Sequence, residues 1–162
     1  QLKDPRHLFP LYALLFTIPG IPSVYYGSEF AIEGRRGDHS DAELRPAWRE
    51  VLRHQEKMEL TAELKAFIGQ LAEVRRRATA LREGGFRRLY LDHHTIAFER
   101  VTEEDRVVVV VSSLDEQTTI RIPVESQSEV AEDMFRPGTF FPVKDGALEL
   151  SLPAYGSMVV SL

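Results

Sequence analysis

The spacing of apolar residues changes period at Gly84-Gly85, and that change constrains the fold of this chain more than any other feature. Before the glycine pair, apolar residues recur at helical intervals around one short run that is apolar on both faces. After it they alternate at period two almost to the end. The chain therefore has to combine a helical part with an antiparallel β part. At 162 residues it has room for one full domain or two small ones.

The β part, residues 85–162, reads as a succession of short strands. "FRRLYLD" and "TIAFERV" flank a turn at His93-His94 and predict a hairpin. "RVVVVVSSL" predicts a central strand, and "TTIRIPV", "ALELSLP" and "SMVVSL" predict further ones, with "RPG" and "KDG" as turns between them. Six or more strands at this spacing suggest a small antiparallel β-sandwich.

The helical part opens with Asp4 as N-cap and Pro5 at the first helical position. Leu8 to Phe16 leave almost no polar face, which predicts a buried helix in which Pro10 marks the true start or a kink. Pro19-Gly20 ends it. "IPSVYY" then reads as a short strand covered on both faces, as in a parallel sheet. A long polar loop, "GSEFAIEGRRGDHSDAELRPAW", follows. Beyond it, Leu64, Phe67, Ile68, Leu71 and Val74 form one stripe of an amphipathic helix from Thr61, its expected N-cap, to Arg77.

Composition narrows the function classes. The net charge of -5 is spread along the chain, and "RRR" at Arg75 to Arg77 reads as a solvated helix face, so nucleic acid is not an expected partner. No run reaches the roughly 18 apolar residues of a membrane span. The chain has no cysteine, which removes disulfides and thiolate metal sites. His93 and His94 are adjacent on a hairpin and point apart, no histidine spacing suits a metal, and we expect neither metal nor cofactor. The chain opens on Gln1 with neither an initiator methionine nor a signal-peptide pattern, and we expect its start to be internal.

In α/β folds function gathers at the C-terminal ends of strands, where "GSE" at Gly27 to Glu29 would lie. From spacing alone, the simpler reading is that Glu29 orders the loop by accepting hydrogen bonds. The stretch "PGIPSVYYGSE", however, resembles the segment over the eighth barrel strand of the α-amylase family of glycoside hydrolases. "LYALLFTI" looks like that family's seventh helix, and "LAEVRRRATALREGGFRRLY" like its eighth helix and the passage into a C-terminal β domain. "RVVVVVSSLDEQTTIRIPV" and "LSLPAYGSMVV" look like strands of that domain. Ser112-Ser113 depart from it, standing where an asparagine is common. "GSEFAIEGRR" is most similar to the maltodextrin-active, neopullulanase-like members.

The resemblance implies that residues 1–84 are the end of a (β/α)8 TIM barrel and residues 85–162 a C-terminal β domain. Such a barrel takes about 250 residues, far more than precede Gly85. A retaining glycosidase needs two carboxylates about 5–5.5 Å apart. In the family these follow strands four and five, with a third after strand seven, all upstream of Gln1. We therefore expect no catalytic residue here, and an upstream barrel portion of the same parent as partner. Asp41 and Arg45, four apart, match an Asp and Arg that contact a glucose unit in the family, and vicinal hydroxyls suit such a pair. The bland alternative is an i, i+4 ion pair on a helical turn. Asp41, Arg45 and Glu29 are the candidate substrate-binding residues, for an α-glucan or maltodextrin. Trp48, Tyr25 and Tyr26 read as packing. Two other classes stay open: a non-catalytic carbohydrate-binding or scaffold module, and a regulatory interaction domain.

Overall fold

The computed structural model describes residues 2, 4–32, 34, 44–55 and 59–162. Asp4 caps a 3₁₀ turn, Pro5–His7, accepting from the Arg6 N–H at 2.8 Å. The turn runs into helix α1, Leu8–Thr17. Pro10 is its third residue, inside the first turn, where a missing N–H costs no intrahelical bond. Helix α2 spans Trp48–Gln55, and Glu50 reaches back to accept from the Ala47 N–H at 3.1 Å, as in half a capping box. Helix α3, Glu59–Arg77, buries the expected stripe through Leu64, Leu71 and Val74. Thr61 lies inside this helix and does not cap it. It is buried, and its hydroxyl lies 3.4 Å from the Phe30 carbonyl. A short helix α4, Thr79–Glu83, ends the helical part.

Eight antiparallel strands complete the chain. They are β1 (Gly85–Leu91), β2 (Thr95–Val101), β3 (Arg106–Ser112), β4 (Thr118–Pro123), β5 (Val130–Asp133), β6 (Phe140–Lys144), β7 (Ala147–Leu152) and β8 (Ser157–Ser161). Their order in the sheet is β1-β2-β3-β8-β5-β6-β7-β4. The sheet curls until its two edge strands, β1 and β4, approach each other. Arg87 bridges that gap, pairing with Glu99 at 2.6 Å and Glu125 at 2.9 Å. The predicted hairpin at His93-His94 and the central strand are both present. Strands β5 and β6 are additional to the strands the sequence pattern predicts.

The run of five valines explains why the two parts are one body. Val107, Val109 and Val111 face the helices, in a core with Phe98, Val159, Phe16, Leu71 and Leu81. Val108 and Val110 face the interior of the curled sheet, with Ile122, Leu148 and Leu150. A strand with two buried faces needs apolar residues at every position, and the sequence supplies them.

Two expectations about the first 30 residues differ from the structure. Helix α1 is buried on one face only. Tyr12, Ala13 and Phe16 are covered, while Leu11 is 49% exposed. The expected strand at "IPSVYY" is not a strand, for Ile21–Tyr25 pair with none of the described strands. A parallel strand acquires its hydrogen bonds from neighbours, and none of the described residues offers an edge at that place.

Candidate functional site

Gly27 (φ 87°) and Ala31 (φ 54°) bracket a 3₁₀ turn, Ser28–Phe30, that reverses the chain after Tyr26. A side chain at residue 27 would be strained at that φ and would press on Ile32 at 3.3 Å. The reversal opens a cleft of about 310 Å³ between this turn and the segment before α2. Tyr25, Tyr26, Ser28, Ile32, Leu44 and Arg45 line it. Trp48 stands behind the cleft, its ring 6.0 Å from Tyr26 and 6.4 Å from the buried Phe30.

Of the three candidate residues, Arg45 lines this cleft with an exposed side chain. Asp41 falls outside the described residues. Glu29 is half-buried on the turn and does not line the cleft. Its Oε2 is shut off from solvent with no hydrogen-bond partner among the described residues. Its charge is felt by Tyr12 below. Burial pushes the Tyr12 hydroxyl above its ordinary value, the Ser28 hydroxyl offsets part of that, and the Glu29 carboxylate raises it further.

Tyr25 and Tyr26, read as core, are 55% and 43% exposed in this chain and line the cleft. Trp48, read as packing, is half exposed and packs through its neighbours' rings. An alternating apolar strand gives no sign of which faces will be covered. The cue that could have flagged these rings was their position immediately before Gly27.

Chemically the cleft offers a guanidinium with its fork of donors, two phenol hydroxyls and flat aromatic faces. That set suits a neutral polyhydroxyl ligand, with hydroxyls for the donors and C–H faces for the rings. No group of acidic or histidine side chains among the described residues could hold a metal ion.

The fold defines a class first. It is shared with the alpha-amylase from Geobacillus thermoleovorans, GTA, with a TM-score of 0.79 at 18% identity, over 98% of this chain and 33% of that one. Residues 86–159 match the family described as Maltogenic Amylase, C-terminal domain. The chain is 22% identical over 161 residues to a cyclomaltodextrinase of Geobacillus thermopakistaniensis (strain MAS1), covering 98% of this chain and 26% of that protein. It is 33% identical over 126 residues to the alpha-amylase MalA of Haloarcula japonica, covering 67% of this chain and 15% of that protein. The chain belongs to the α-amylase family of glycoside hydrolases and carries that family's C-terminal β domain. It spans about a quarter of the cyclomaltodextrinase and less of MalA.

Proposed function

We propose that this chain is the C-terminal part of an α-amylase-type retaining glycosidase acting on maltodextrins or related α-glucans. In this reading residues 1–84 complete a (β/α)8 barrel, with α1 and α3 as its seventh and eighth helices and residues 21–26 as its last strand. Residues 85–162 are the β domain at its C-terminal side. The cleft at Arg45 is part of the sugar-binding rim, to which Asp41 and Glu29 also belong. The catalytic carboxylates lie on an upstream portion of the parent, and this segment by itself is inactive.

The observation that carries the reading is the exposed apolar surface ahead of the cleft. Ile21 is 95% exposed, Tyr25 55% and Ile18 40%, along a segment without strand partners among the described residues. A free-standing binding module gains nothing from such a surface, whereas a barrel strand needs it to pack against neighbours. The fold likeness supports the same reading because it runs over 98% of the chain and does not stop at Gly85.

The test is titration of the chain with maltotriose, read by calorimetry, beside an assay of reducing sugar released from maltodextrin. We expect weak binding by the chain, loss of that binding in Arg45→Ala, and no sugar release. Undiminished binding in Arg45→Ala would remove the rim from the proposal. Sugar release by the pure chain would overturn the upstream location of the carboxylates.

A further inference from the structure

Arg100, in the middle of β2, is among the most deeply buried side chains of the protein, with 1% exposure. No carboxylate among the described residues pairs with it. Its guanidinium donates to main-chain carbonyls throughout: Nη1 to Thr17 at 2.8 Å and Leu81 at 3.0 Å, Nη2 to Gly84 at 2.7 Å, and Nε to Gly84 at 3.2 Å and Gly85 at 3.3 Å. These acceptors come from the ends of α1 and α4 and the start of β1. Helix C-termini carry unpaired carbonyls and partial negative charge, so two of them converge on this cation in place of a counter-ion. Gly84 permits the approach. A Cβ there would stand 2.5 Å from the Ala80 carbonyl and 2.9 Å from the Val101 backbone.

Arg75, on α3, completes the arrangement from the other side. It donates to the Phe16 carbonyl at 2.7 Å and to the Gly20 carbonyl. The contact with Gly20 holds the start of a segment whose far end is held by Val24, packed against the helix-facing core. Between Pro19 and Val24 no backbone group bonds to another backbone group among the described residues, and Arg75 supplies a polar tether there at Gly20. The chain then reaches Tyr25, Tyr26 and the cleft.

We propose that Arg100 and Arg75 are positioning residues for the cleft, a pair of guanidinium clasps by which the β domain and α3 fix where α1 ends and hence where Tyr25 and Tyr26 stand. The β domain is then part of what shapes the cleft, although it contributes no lining residue. The functional meaning of the clasps rests on the reading of that cleft as a sugar-binding rim. The geometric claim stands without it.

Trp48 is the protein's one tryptophan and packs against Tyr26 and Phe30, so its emission reports the cleft. The experiment compares Trp48 emission, well below the thermal transition, in the parent chain, Arg75→Met, Arg75→Lys and Arg100→Lys, with far-UV dichroism and the melting midpoint recorded for each. A lysine cannot span the carbonyls that Arg100 spans. We expect Arg75→Met to keep the β-sheet spectrum and to shift Trp48 emission to the red. Arg75→Lys should recover part of the shift, and Arg100→Lys should shift emission and lower the midpoint. Arg75→Met is the deciding variant if Arg100→Lys does not fold. A purely structural role would change midpoints and leave the folded-state emission alone, and unchanged emission in folded Arg75→Met overturns the proposal. No sugar is present in this experiment, so failure of maltodextrin binding and failure of the clasps are read separately.

Discussion

Strand β3 and the segment 18–26 are both runs of apolar residues that could be covered on two faces, yet they have opposite fates. In β3, Val107 to Val110 are fully buried, hydrogen-bonded to β2 on one side and β8 on the other, with a helical layer above and the sheet interior below. In 18–26, Ile21 stands almost entirely in solvent and the backbone joins no ladder. The lesson is that apolar sequence sets a demand for neighbours and does not supply them. Burial depends on the edges and faces that other segments present.

The largest effect that would sharpen this contrast is expected at Phe98, fully buried beneath the helices. Phe98→Ala should cost about 3–5 kcal/mol in chemical denaturation, by lost transfer energy and the cavity left behind. A loss below about 1 kcal/mol would mean that the helix-facing core is loosely packed. Gly84→Ala comes next. Its Cβ would meet backbone that cannot swing aside, and we expect destabilisation of about 1–3 kcal/mol. A neutral result would show that the junction between α4 and β1 relaxes.

A smaller, pH-dependent effect is expected at Asp92, in the hairpin turn. Its carboxylate accepts from the His94 N–H at 2.8 Å, the Tyr90 hydroxyl at 2.8 Å and the Thr95 N–H at 2.6 Å. These bonds hold it below its ordinary value of 3.8. The folded state therefore binds this proton less readily than the unfolded chain does. The stabilisation is present above the unfolded value and is lost as pH falls through the folded one. Melting curves of the parent and Asp92→Asn should converge in acid; a constant gap at every pH would rule this account out.

The smallest stability change is expected where the sequence is most apolar and least covered. Ile21→Ser should leave the folding free energy within about 0.5 kcal/mol of the parent. It should also reduce concentration-dependent association measured by sedimentation. A substantial loss of stability would mean that residue 21 is covered in solution.

Much of the β domain was legible because strands declare themselves by period two and by turn residues. Strands β5 and β6 were not. The first is four residues long and ends in Glu132 and Asp133. The second carries Pro142, which reads against a strand unless it sits where no ladder donor is required. The misreading of Thr61 has a similar cause: a threonine ahead of an apolar stripe looks like a cap, and its packing against Phe30 involves residues 31 positions apart. In the candidate site, Arg45 was singled out from its spacing with Asp41 and from a resemblance, and it lines the cleft. Tyr25 and Tyr26 were assigned to the core because alternation cannot reveal which face lacks a cover.

The sequence by itself determined that this chain would be helices followed by an antiparallel sheet, that β3 would be central, and that α3 would pack through one stripe. Those are consequences of residue spacing, which acts over a few positions. Only the tertiary structure decided that Arg100 would be buried against the ends of two helices, that the helices would cover the odd valines of β3, and that two tyrosines would stand open beside Arg45. Each depends on segments distant in sequence meeting in space. Burial, desolvation and the pairing of carbonyls with a guanidinium are properties of that meeting, and no local pattern encodes them.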